Sequence, residues 1–137
     1  MKPQEYFDKT VDHLWDNKKS IDLDGQNDVD KVLCQYLTVD GRKCAIGVHI
    51  PDGHEGQRFQ GAVSSLVSTY PDLKEHVLPE PDGEDWYIEK CLDLAIDLQR
   101  VHDAVSRDTF TDRPKKHDFN FSVKNVAWEY GLQYIEK

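Results

Sequence analysis

Apolar residues along this chain recur mostly at three- and four-residue spacings, with one interval where β-branched and aromatic residues cluster instead. Near the start, Phe7, Val11, Leu14 and Trp15 fall at i, i+4, i+7 and i+8, and this spacing predicts an amphipathic helix over 3–17. Pro3 suits its first turn, where the missing N–H costs nothing, and the lysines of Asn17-Lys18-Lys19-Ser20 suit the negative end of its dipole. Phe59, Ala62, Val63, Leu66 and Val67 predict a second helix within 57–69, stopped by Tyr70-Pro71, and 72–78 reads as one further turn. The longest stripe predicts a helix over 84–106, through Trp86, Cys91, Leu94, Ala95, Leu98, Val101, His102 and Val105, with Ile88 and Leu92 widening it. Asp82 or Gly83 is its expected cap, and its breadth predicts a central helix contacted from two sides. A last helix is predicted over 122–130 on Val123, Val126, Ala127 and Tyr130. Gly131 is its natural terminator, with Leu132, Tyr134 and Ile135 folding the tail back onto the core.

The exception is the interval 32–50, where two β-rich runs flank Asp40-Gly41. Asp-Gly is a strong hairpin signal, because both central positions of a type I′ turn need positive φ. Pro51-Asp52-Gly53 ends the second run. The predicted fold class is therefore α+β: an antiparallel hairpin, with room for a third short strand, packed within about four helices as a single domain over 1–137. Two strands are marginal alone, so the hairpin is expected to rest on the long helix. The polar stretches 20–30 and 109–118 read as loops.

Composition sharpens this picture modestly. Of 137 residues, 26 are Asp or Glu and 17 are Lys or Arg, a net charge of −9 at pH 7. That balance argues against nucleic acid, whose phosphates call for a basic face. No apolar run is long enough to span a bilayer, the first residues carry no apolar signal segment, and no lipidation motif is present, so no membrane partner is expected. Three cysteines (Cys34, Cys44, Cys91) are too few and too odd for a disulfide scaffold, which points to reduced thiols in a cytoplasm.

Candidate chemistry gathers around the hairpin and the long helix. Cys34-x9-Cys44-x4-His49-x4-His54 contains zinc-type ligands but no closely paired set. A two-residue turn would put Cys44 opposite Leu37 and Cys34 on the other face. A three-residue loop would leave the cysteines about 13 Å apart along the ladder. Asp22-x-Asp24-Gly25-x-Asn27-Asp28 lacks the spacing and final Glu of a calcium loop. No metal or cofactor is expected. Cys44 as a nucleophile would need an imidazolium beside it, and a regular strand puts His49 on the other face. His102 lies four residues after Leu98 on the apolar face, with Asp103 predicted to point away from it. Such a histidine either bonds a carbonyl or carboxylate of another element or reaches a pocket under the hairpin as ligand donor or base. Asp93 and Asp97, flanked by Lys90 and Arg100, read as an ion-paired solvent face. No Walker-type loop, nucleophile elbow, zincin helix or dinucleotide fingerprint is present.

Three strings together resemble a known family. They are Cys34-Gln35-Tyr36, then Gly41-Arg42-Lys43-Cys44-Ala45-Ile46-Gly47-Val48-His49-Ile50-Pro51-Asp52, and Leu98-Gln99-Arg100-Val101-His102-Asp103. They are similar to a family of small phage and prophage proteins of unknown function, and Val126 to Leu132 is similar to that family's closing helix. The resemblance covers about twenty residues around the hairpin and six of the long helix, and it implies origin and shared fold rather than a reaction. Leucine is common in the family where this chain has His49, so the resemblance gives His49 no shared role. The leading functional expectation is a non-enzymatic phage accessory protein that binds a host protein in the bacterial cytoplasm, its acidic face engaging a basic surface. The alternative from another class is a small-molecule site, a nucleotide among the candidates, or an undescribed enzyme. Its pocket would lie between hairpin and long helix, near Cys44, His102, Asp103, Tyr36 and Trp86. A virion or oligomer component is the third reading.

Overall fold

The computed structural model describes residues 1–16, 36–37, 42–108, 110 and 113–137. Among these the chain is helical: α1 (Pro3–Asp16), α2 (Val63–Thr69), α3 (Lys74–Val77), α4 (Ile88–Ala104) and α5 (Lys116–Tyr130). The expected α+β hairpin is not what forms, and the described residues contain no strand. Two isolated antiparallel bridges, Leu37 with Lys43 and Arg107 with Pro114, are the nearest approach to a ladder. The physical reason lies in the burial pattern. Cys44, Ala45, Ile46 and Gly47 are buried consecutively, whereas a half-buried strand hides alternate residues. The chain instead coils tightly. Val48 N–H donates to Cys44 C=O (3.2 Å), His49 N–H to Ile46 C=O (2.9 Å) and Ile50 N–H to Gly47 C=O (3.1 Å), giving a 3-10 turn over Gly47–His49. Asp40-Gly41, Cys34 and the acidic loop 20–30 lie outside the described residues.

Helix α1 buries Pro3, Tyr6, Phe7, Thr10, Val11 and Leu14, so its apolar face is wider by Tyr6 and Thr10 than the Phe7–Val11–Leu14 stripe. Tyr6 is fully buried, and its hydroxyl donates to Val77 C=O (2.6 Å), tying α1 to α3. Helix α4 buries Cys91, Leu94, Ala95, Leu98, Val101 and His102, at helical spacing, and packs against α1, α2 and α5, as its breadth predicted. It starts at Ile88 with Tyr87 before it, so Asp82 and Gly83 do not cap it, and Ile88 is exposed.

Helix α5 begins at Lys116, earlier than the polarity of Lys116-His117-Asp118 suggests, because Phe119 and Asn120 already face the core. It ends where expected. Gly131 is left-handed at φ 66°, Leu132 N–H donates to Ala127 C=O (2.8 Å) and Gly131 N–H to Trp128 C=O (3.4 Å), the two bonds of a Schellman cap. The tail then runs between α1 and α5. Gln4 exchanges two hydrogen bonds with the Gln133 backbone, at 2.9 and 3.0 Å, and Tyr134 donates to Asn120 Oδ1 (2.5 Å). Leu132 and Tyr134 pack on the core as predicted, whereas Ile135 is exposed.

One glycine is fixed by contact rather than by φ. A Cβ at Gly47 would sit 1.8 Å from the Tyr36 carbonyl oxygen, so the turn is packed backbone against backbone. Gly47→Ala should therefore lower stability by about 1–3 kcal/mol, the range for overpacking a close-packed site, read as a shift of the urea midpoint.

Candidate functional site

Three of the five predicted site residues meet in one groove. The groove encloses about 780 Å³ between α4 and the segments on either side of the 3-10 turn, with Tyr36, Cys44, Val63, Ile96, Gln99 and Asp103 among its lining. That volume lies within the range of small-molecule sites. Tyr36 is buried; its hydroxyl donates to Gly61 C=O (2.5 Å) and its ring stacks on Phe59 at 6.5 Å. Burial pushes its phenol above the ordinary range. Cys44 Sγ accepts from Gly47 N–H (3.3 Å), and burial holds the thiol up at about 12. It is a neutral wall group at pH 7, with no nucleophile's charge.

The polar rim comes from the last turns of α4. Asp103 does not point away from His102: its Oδ1 accepts from His102 Nδ1 (2.9 Å) and from Gln99 Nε2 (3.1 Å). His102 itself is only 1% exposed and stands behind the groove wall. Its imidazole orients the Asp103 carboxylate within its own helix, whereas the expected contact was with another element. Gln99 Oε1 is buried without a donor among the described residues.

Trp86 is elsewhere. It stacks on Tyr130 at 5.9 Å with Lys90 Nζ 4.5 Å from the ring, so its role is to join the residues just before α4 to α5. Asp97 strengthens the same junction, accepting from Tyr130 OH (2.5 Å) and Arg100 (3.1 Å). Arg100 thus pairs with Asp97 as the charge pattern predicted, while Lys90 is turned to Trp86.

The histidines of the middle segment are engaged separately. His54 Nε2 faces Asp72 (2.7 Å) and its Nδ1 accepts from Gly56 N–H (2.9 Å). His49 is buried, stacked on Tyr6 at 4.1 Å and 12°, and bonded through Nε2 to Thr10 Oγ1 (2.7 Å). No group of three or more metal-type side chains converges among the described residues. His49 is the residue the sequence undersold; the signal was Thr10, a polar residue one position before Val11 on the buried side of α1. A second hollow of about 500 Å³, between Pro71, Leu78, Pro81, Ile88 and Cys91, contains none of the predicted site residues.

Comparison with known proteins finds no family model, no curated protein and no solved structure that matches the chain. What fold and site define is a class by architecture: a small helical protein with a half-open, largely apolar groove along α4. No helix among the described residues is long and apolar enough to cross a membrane.

The neutral, buried state of Cys44 has a direct readout. At pH 7.5 the folded protein should react at Cys44 with a disulfide reagent at least about 100-fold more slowly than a free cysteine peptide, followed by peptide mass spectrometry.

Proposed function

We propose that this chain is a phage-type accessory protein that works by binding a host protein, and that α5 presents the docking face. The observation that carries the reading is the exposure of Phe121 (64%) and Trp128 (88%) on one helix. They are seven residues apart, so they project from the same side about 10.5 Å apart along the axis, opposite the buried Phe119, Val123 and Tyr130. Two large aromatic side chains left in water on a helix face are the anchors of helix-in-groove recognition. Lys124 stands between them and is ion-paired to Glu136 (3.6 Å).

Charge supports a basic partner. At −9, the chain is steered toward cationic surfaces and away from a second copy of itself. The partial similarity to small phage proteins supports the setting. The small-ligand reading stands second, favoured by the convergence of Tyr36, Cys44 and Asp103 on one groove.

The test is a paired capture from bacterial lysate with the wild-type chain and the Phe121→Ser/Trp128→Ser variant. A specific partner should be retained by the first, fall at least about tenfold with the second, and elute with added salt. The variant's thermal midpoint should be nearly unchanged, since both side chains are solvent-exposed. No partner above background, or equal recovery by both baits, would contradict the reading. Light scattering on the same samples separates it from an oligomer component, which would be larger than a monomer.

A further inference from the structure

The segment 43–49 is held to α1 by two histidines, one from each side of the contact. His13 Nε2 on α1 donates to Lys43 C=O (2.7 Å), and His49 on the segment reaches back to Thr10 (2.7 Å). The Thr10 hydroxyl has one proton, and it goes to Tyr6 C=O (2.7 Å). Oγ1 therefore accepts from His49 Nε2–H, which leaves Nδ1 as the bare nitrogen of a neutral ring. That Nδ1 is buried and has no hydrogen-bond partner among the described residues. A proton added to His49 must go there, where none of those residues offers an acceptor.

We propose that His49 is an acid-sensitive latch: its neutral ring ties the 44–50 segment, and with it one wall of the groove, to α1, and its protonation frees that wall while the helices persist. Among the described residues no carboxylate acts on the ring to stabilise the cation. Lys9 and His13 of α1 and the amino group of Met1, itself paired with Glu80 (2.8 Å), act on the ring as like charges, and Tyr6 stacks on it with its phenol neutral. From α3, packed against the same turn, Val77 is buried while Lys74, Glu75 and His76 are turned to solvent.

Burial first, and these like charges next, hold the His49 imidazole down at about 3. A released, solvated ring titrates near 6.5. The sign follows from linkage. The latched state is fully favoured above about pH 6.5 and loses ground steadily as pH falls toward 3, because the released state binds the extra proton. The groove feels this through short connections. Gly47 is packed against the Tyr36 backbone, and its N–H donates to Cys44 Sγ, so displacing the turn moves two lining residues together. The device depends on neither the partner nor the ligand proposed above.

The experiment is pulse labelling of the full chain with 4,4′-dithiodipyridine from pH 7 to pH 4.5, with Cys44 read by peptide mass spectrometry and helix content by far-ultraviolet circular dichroism. Rates are normalised to a free cysteine peptide at each pH. Cys44 labelling should accelerate at least about tenfold over that range with helix content unchanged, since linkage favours the released state by roughly one power of ten per pH unit below 6.5. His49→Gln should flatten the response, and His13→Gln should leave it in place. Should His49→Gln fail to fold, Thr10→Val removes the acceptor while keeping the branched shape, and should raise Cys44 labelling already at pH 7. Labelling that is independent of pH, that rises only as helix is lost, or that responds equally in His49→Gln would overturn the proposal. So would Thr10→Val labelling at the wild-type rate.

Discussion

The contact on which the rest depends is the seating of one irregular segment on one helix face, Cys44 to Ile50 on Tyr6 and Thr10 of α1. A segment buried this deeply must satisfy its backbone groups without a sheet. It does so by coiling into a 3-10 turn, while His13 of α1 takes the Lys43 carbonyl just before it and Thr10 takes the His49 side chain. Tyr6 links the parts: its ring lies on His49 and its hydroxyl reaches Val77 on α3. Seating the ring leaves His49 Nδ1 an unmet acceptor among the described residues, a cost of about 1–3 kcal/mol that the surrounding packing must offset.

Once that segment is seated, the groove and the outer surface follow. Gly47 fixes Tyr36 and Cys44 as one wall, and α4 supplies the other with Ile96, Gln99 and Asp103. His102, hidden behind that wall, holds the Asp103 carboxylate in place. Helix α4 and the residues just before it are joined to α5 by Trp86 on Tyr130 and by Tyr130 OH on Asp97. That junction fixes which side of α5 is buried, and so which side offers Phe121 and Trp128 to solvent. Groove and aromatic face thus both take their placement from one central helix.

The helices were legible because their periodicity is a property of single segments. The stripe from Cys91 to His102 and the stop at Gly131 stand in the structure where the residues put them. That 44–50 coils instead of forming a strand was not legible for a related reason. Cys44-Ala45-Ile46-Gly47 is apolar without interruption, and such a run fits a strand buried on both faces or a coiled turn buried all round. What decides between them is the neighbour, here α1, which no local pattern names. The site shows the same division. Tyr36, Cys44 and Asp103 were placed together by string similarity and by the expectation that their segment rests on α4. Trp86 went to α5 because its partner, Tyr130, lies 44 positions further on. The pairing of Asp103 with His102 was missed because helical angles place Cβ atoms and leave χ angles free to bring adjacent side chains together.

The most direct test of the central contact is the protonation state of one ring. Long-range nitrogen–proton correlation spectra of the uniformly nitrogen-15-labelled protein distinguish neutral and charged imidazoles and their tautomers. The account predicts that at pH 5.5, a full unit below the ordinary histidine value, His49 is neutral with its proton on Nε2. A His49 that is charged at that pH, or neutral with the proton on Nδ1, would contradict the seating of the segment on Thr10 from which the rest is built.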